Sequence, residues 1–311
     1  MPIQSPRSRV LYTLALFASL AVPLQAQTID DGIMLRQHEL LTGNFYSHDS
    51  WDEYWEGALK RTNGNIGTIT TETNVFAVNY GLFDRFNVIG NVPYVWTNAS
   101  QGVLHGIQGF QDLSLAGKWT AHETPAGDGV LRTILVVAAG IPLTNYNPEL
   151  LPLSIGMGST RVSWRGTVNY QTNPGWYVNG TTAYTVRSHV KLDRPYYQTG
   201  DEFVMSDRVD MPNVFDYTAS GGYMKDGLMA AAFFSQQQTL GGDDIRRQDM
   251  PLMSNQMNFA RAGLMLLYPV PKARTLGVHV SVAHNFAGRN VGQGTTFTTG
   301  LQYIFNGGST R

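Results

Sequence analysis

The stretch that decides the fold is residues 161–190, RVSWRGTVNYQTNPGWYVNGTTAYTVRSHV. Val162, Trp164, Gly166, Val168 and Tyr170 interleave with Arg161, Ser163, Arg165, Thr167 and Asn169. A pleated strand sends those two sets to opposite faces. The Asn-Pro-Gly run within residues 171–175 signals a tight turn. Beyond it, Trp176, Val178, Gly180, Thr182, Tyr184 and Val186 alternate in the same way with Tyr177, Asn179, Thr181, Ala183, Thr185 and Arg187. The pattern predicts a β-hairpin with one apolar, aromatic face and one wet face. Each arm runs roughly ten residues or more, whereas strands of soluble sheets average about 5 to 6. That length suits a tilted strand crossing a membrane, and aromatic residues bracketing the turn suit an interfacial girdle.

Working outward, the composition agrees with this reading. The chain has 311 residues, of which 14% are charged, with 33 glycines, 15 tyrosines, no cysteine and a formal net charge of -1. Absence of cysteine leaves out disulfides and thiolate sites, and the near-neutral balance gives no reason to expect nucleic acid as a partner. At the start, Arg7 and Arg9 precede an apolar run from Val10 to Leu20, followed by small and polar residues ending at Ala26. That arrangement predicts a cleaved secretory signal peptide over residues 1–26. The apolar run falls short of the ~20 residues a spanning helix needs, and no later segment approaches that length. An exported, helix-poor chain of long alternating strands reads as all-β: a closed antiparallel up-and-down transmembrane β-barrel in the cell outer membrane of a Gram-negative bacterium. The partners this implies are outer-membrane lipid and lipopolysaccharide, the barrel assembly machinery and a small organic solute, with no nucleic acid.

Twelve strands are predicted, at 37–48, 67–82, 86–97, 110–120, 130–142, 161–170, 176–187, 214–224, 228–239, 253–270, 276–287 and 295–305. Short links follow the even-numbered strands and longer links the odd-numbered ones, the longest over 191–213. Outer-membrane barrels alternate in this way between short periplasmic turns and longer outer loops. The turn at 171–175 is therefore periplasmic, and Tyr80, Phe86, Trp119, Tyr170, Trp176, Tyr223 and Tyr268 would form the periplasmic aromatic girdle. Pro93 predicts a bulge or bend, because proline cannot donate to a ladder. Asp226-Gly227 is a two-residue hairpin signal, although the faces of 228–239 are not decided by the pattern. Residues 27–36 are expected to form a short periplasmic segment, too small for a folded plug domain. The barrel would span 37–305, followed by a C-terminal extension at 306–311.

At YGLFDRFNVIGNVPYV, residues 80–95, and GFQDLSLAGKW, residues 109–119, the chain resembles the meta-pathway phenol degradation family of outer-membrane proteins. The features that match are Gly81-Leu82 with Asp84-Arg85, then Gly90, Pro93-Tyr94, Gly109, Asp112, Leu115 and Lys118-Trp119. The resemblance implies a barrel acting as a transporter-like channel for small hydrophobic or aromatic compounds. One departure is that Phe305 is followed by NGGSTR rather than ending the chain.

With aromatic and aliphatic positions toward lipid, the opposite face lines a lumen that holds Lys118, Arg132, Arg161, Arg165, Arg187 and Arg261 against Asp112 and Asp216. That excess of cations would favour anionic solutes such as aromatic carboxylates or phenolates. The plainer alternative is that these arginines pair with acids or carbonyls and fill the barrel. His279 and Ser281 have the spacing of a base and nucleophile on one strand face. Val278, Val280 and Val282 take the lipid side, however, which leaves His279 in the lumen as a solute-path residue and argues against a lipid-modifying enzyme. The acids at Asp49, Asp52, Glu53 and Glu56, and at Asp243-Asp244, lack defined ligand spacing and read as solvated outer loops. The glycines near 290–295 lack the strand-to-helix setting of a phosphate loop, so no cofactor and no metal are expected. The expected function is passive passage of small organic solutes, aromatic or anionic. The alternative is a structural or surface-interaction barrel with a plugged lumen.

Overall fold

The computed structural model describes residues 28–200, 202–246 and 251–306. The expected signal peptide and the tail from 307 onward lie outside the described residues. Twelve long strands make the wall: β1 (Glu39–Trp51), β2 (Ile69–Phe83), β3 (Phe86–Ala99), β4 (Asp112–Ala126), β5 (Gly129–Pro142), β6 (Arg161–Thr172), β7 (Trp176–Arg187), β8 (Val214–Lys225), β9 (Leu228–Thr239), β10 (Asn258–Val270), β11 (Ala273–Arg289) and β12 (Thr295–Asn306). Each pairs antiparallel with its neighbours in sequence, and β1 pairs with β12 in a twelve-residue register from Glu39 opposite Asn306 to Ser50 opposite Thr295. The sheet is therefore closed, which leaves no wall edge unpaired in lipid. No helix occurs among the described residues.

Side-chain exposure follows the period-two pattern. Along β7, residues 176 to 186 alternate exposed and buried without a break, with Trp176, Val178, Tyr184 and Val186 outward and Tyr177, Asn179, Thr181, Ala183 and Thr185 inward. Trp164 and Val168 of β6 are likewise outward, at 50% and 53% exposure. The same alternation settles β9, where Met229, Ala231 and Ser235 face inward and Ala230 and Ala232 outward. Trp119, Trp176 and Tyr268 stand exposed beside the periplasmic turns, and Trp176 meets Tyr223 edge-on at 5.4 Å. Those turns contain two or three residues each. At the turn between β8 and β9 both Asp226 (φ 54°) and Gly227 (φ 86°) adopt left-handed backbone, as a two-residue hairpin requires.

The expected boundaries shift in places. β1 begins at Glu39 and runs to Trp51, β4 extends to Ala126 so that its turn shrinks to two residues, and β10 starts at Asn258. Pro93 keeps its place in the β2–β3 ladder and instead interrupts the seam with β4. Its carbonyl accepts Gln111 N at 3.0 Å, so its nitrogen, which has no hydrogen, faces the same side. There β4 stops pairing at Ser114, and the short strand Gln108–Phe110 takes over opposite Tyr94 to Trp96.

On the outer side, the described residues of the loops after β5, β7 and β9 pack on one another. Leu151, Val190, Leu192, Tyr197, Val209, Met211, Leu252 and Met253 are buried together and form an apolar roof. The longest loop is thus folded against its neighbours, including the short ladders Val190–Lys191 with Arg208–Val209 and Tyr197–Thr199 with Glu202–Val204.

Candidate functional site

The inner wall is mostly small and polar, so what fills the lumen decides what the barrel can do. Thr167, Asn169, Asn179 and Thr181 of the β6–β7 hairpin are each nearly inaccessible, at 1 to 3% exposure. Thr167 and Thr181 hydroxyls lie 2.8 Å apart, and Asn169 Nδ2 donates to Asn179 Oδ1 at 2.7 Å. A barrel wall facing water would leave them wet. They are covered by residues 28–36, which enter the lumen instead of lying outside it.

This corrects the expectation of a short periplasmic segment at 27–36 for all its described residues. Gly32 lies so close to Asn169 that an added Cβ would sit 2.3 Å from Asn169 Cγ, so only glycine fits there. Thr181 Oγ1 donates to Asp30 O at 3.1 Å. The two aspartates are tied to the wall: Arg165 Nη1 is 2.7 Å from Asp30 Oδ1, and Lys118 Nζ is 2.7 Å from Asp31 Oδ1. Lys118 also donates to Thr28 O at 2.7 Å and is wholly buried. Asp31 Oδ1 accepts Ile33 N at 2.9 Å, an aspartate turn that bends the segment. Ile33 and Leu35 then pack with Leu41, Tyr177, Met224, Met229, Leu267 and Ile304. Ile29 packs on the opposite wall against Ile89, Ala116, Ile134 and Val136. His38 N bonding to Gly81 O at 2.7 Å leads the chain out of this seat and into β1.

The segment also overturns the expected charge excess. Asp30 and Asp31 from the segment, together with Asp49 and Glu123 from the wall, join Asp112 and Asp216, so six acids stand beside the six named cations. Arg161 reaches Asp112 at 2.5 Å, Arg132 reaches Glu123 at 2.6 Å, and Asp112 also accepts the Tyr146 hydroxyl at 2.7 Å. Burial, then that hydrogen bond, push the Tyr146 hydroxyl above the ordinary tyrosine range. Arg261 donates to Ser235 Oγ at 2.9 Å and lies 5.5 Å over the Phe259 ring. His279 meets Phe45 edge-on at 5.6 Å and stays on the lumen side with Ser281, while Val280 is half exposed outward. Arg187 and Asp216 face the lumen without an ion pair among the described residues. In the outer loops, Asp244 stays partly exposed and is also held by Arg289 at 2.6 Å and by Asn290 at 2.8 Å, and the Arg289 hydrogen bonds keep its carboxyl below the usual range.

Space remains on both sides of the inserted segment. A cavity of about 390 Å³ opens toward the periplasmic turns between Ile33, Arg36, Arg85, Arg132 and Met224. A second, of about 280 Å³, lies under the outer loops between Arg161, Arg165, Arg187 and Asp216. The pattern along the strands picked out Lys118, Arg132, Arg161, Arg165, Arg187 and Arg261 but not Arg85 at the periplasmic cavity, nor the segment that answers two of them. The signal was present: six cations against two acids in a closed wall demanded acids from elsewhere, and Asp30-Asp31 stands immediately before the barrel.

Among solved structures the chain resembles an outer-membrane channel from Pseudomonas putida F1, with a TM-score of 0.69 at 14% identity over 91% of this chain and 100% of that one. Looser likenesses include the translocator domain of the autotransporter NalP from Neisseria meningitidis (TM-score 0.45, 10% identity, 86% and 89% coverage). The CymD monoaromatic hydrocarbon channel is similar to the same degree (0.43, 10%, 89% and 90%). No curated protein sequence matches the chain. Fold and closure are those of an outer-membrane β-barrel, and a family model matches residues 60–300. The chain belongs to the family described as "Putative MetA-pathway of phenol degradation".

Proposed function

We propose that this barrel is a channel through which small organic solutes, aromatic ones included, cross the outer membrane passively, and that residues 28–36 set its closed state. The observation that carries this reading is the pair of lumen cavities separated by one short inserted segment, in a wall that is otherwise complete. The segment is held by two ion pairs and two apolar seats rather than by strand pairing to the wall. The family's description, phenol degradation, supports aromatic compounds as the solute class. The balance of lumen charges removes the excess on which a preference for anions rested.

Planar-bilayer recordings test this with the full chain and with a variant lacking residues 28–36, heat-modifiable migration on gels serving as the check of folding. The variant should conduct ions at a level well above the full chain. If both proteins are folded and neither conducts, the barrel is a plugged structural element, which is the reading favoured by the complete burial of Lys118 under the segment.

A further inference from the structure

The cavity beneath the outer loops has on its wall one cation, Arg187, and one carboxylate, Asp216, that make no direct ion pair or side-chain hydrogen bond among the described residues, although Asp216 lies in the field of Arg165, Arg187 and Arg261. Arg161 and Arg165 line it too, but each has an acid of its own, Asp112 and Asp30. Arg187 sits directly opposite Arg161 in the β6–β7 register. Like charges placed opposite each other on one sheet face repel, so Arg187 is held toward the cavity and away from its neighbour. Asp216, on β8, lies opposite Ala183 on one side and Gln237 on the other. Neither Arg187 nor Asp216 has an ion pair or a side-chain hydrogen bond among the described residues, although each feels the other's charge. Two charged groups that line a cavity and do not close on one another keep hydrogen-bonding capacity for what enters it.

The chemistry of that partner follows from what the two groups can do. A guanidinium only donates hydrogen bonds and a carboxylate only accepts them. A hydroxyl accepts from Arg187, donates to Asp216 and leaves the balance of charge unchanged. A carboxylate would satisfy Arg187 alone and set a second negative charge beside Asp216. The volume, about 280 Å³, exceeds the cavity of ~150 Å³ known to take benzene. Met157 and Val214 give part of the wall an apolar character suited to a ring. We propose that Arg187 and Asp216 form a reading point for uncharged, hydroxyl-bearing solutes of single-ring size, and that Asp216 turns carboxylates away. The proposal rests on the channel reading above and specifies the solute class it takes.

Benzyl alcohol, benzoate and phenylglycine present a hydroxyl, a carboxylate and a zwitterion on the same ring. Their binding to the purified full chain in detergent, read by calorimetry at neutral pH, tests the assignment. Benzyl alcohol should bind about tenfold or more tighter than benzoate, the size of discrimination that a misplaced like charge supplies. Asp216→Asn should bring benzoate up about tenfold relative to benzyl alcohol, and Arg187→Gln should weaken both. A wild-type preference for benzoate, or for phenylglycine over benzyl alcohol, overturns the proposal without recourse to any variant. So does an Asp216→Asn protein that is folded and keeps the wild-type ratio. Absence of discrimination, combined with a barrel that conducts once residues 28–36 are removed, refutes the reading point and leaves the channel standing. Absence of conductance refutes the channel.

Discussion

The lower and upper halves of the lumen are walled by the same strands and filled in opposite ways. Below, Lys118 and Arg165 meet acids carried in by residues 28–36, and Ile33 and Leu35 seat against Met224, Met229, Leu267 and Ile304. Above, Arg187 and Asp216 border open space under a roof of loop residues. The difference teaches that alternation along a strand makes a lumen face but does not say what answers it. A second piece of chain turns the lower half into a protein core, while the upper half keeps charged groups on the wall of an open cavity.

The largest expected effect lies in the lower half. Lys118→Ala would leave Asp31 buried without its partner, a change worth about 3 to 5 kcal/mol against the seated segment. Because the chain has no cysteine, a single Ile33→Cys reports on seating. Its labelling by a thiol reagent should accelerate by about two to four orders of magnitude in the Lys118→Ala background. Next comes Leu35→Ala, with about 2 kcal/mol of lost seating in the same assay, the low end for a buried leucine because the periplasmic cavity adjoins the seat. Arg165→Gln should cost less, about 1 kcal/mol, since Asp30 keeps 36% of its side chain accessible and can be hydrated. An Arg165→Gln effect as large as that of Lys118→Ala would break the distinction between a buried clamp and a wet one.

In the upper half, Arg187→Ala should leave barrel stability within about 0.5 kcal/mol, read as the urea midpoint in detergent, because it removes no ion pair and relieves repulsion with Arg161. A loss above about 2 kcal/mol would mean that Arg187 is a structural group and that the two halves do not differ as described. The smallest effect concerns the outer loops. Asp244 has a lowered folded-state value, so its contribution is present at neutral pH and fades as pH falls through and below the ordinary carboxylate range. Protease nicking of the 240–257 loop should rise modestly in acid, and Asp244→Asn should abolish that dependence.

Much of the wall was legible in the chain alone. Val162, Trp164 and Val168 against Ser163, Arg165 and Thr167 declare two faces locally, and the Asp226-Gly227 hairpin and the short links declare which end is periplasmic. β9 was harder because Met229 to Phe234 is apolar on both faces, and only its register with β8 and β10 separates Met229 from Ala230. Pro93 was legible as an irregularity but not as to which seam it would interrupt, since that depends on which neighbour its carbonyl faces. The seat of residues 28–36 was out of reach for a stronger reason. The strand rule needs only neighbouring residues, whereas the ion pair of Asp30 with Arg165 joins groups 135 positions apart.

By itself, the sequence determined a closed, lipid-facing barrel of twelve strands, because lipid demands an apolar outer face and complete backbone pairing, and both demands are written with period two along each strand. Only the tertiary structure decided the state of the lumen. Ring closure places residues 28–36 beneath the β6–β7 hairpin, where Asp30 and Asp31 neutralise Arg165 and Lys118 and leave Arg187 and Asp216 on the wall of an open cavity.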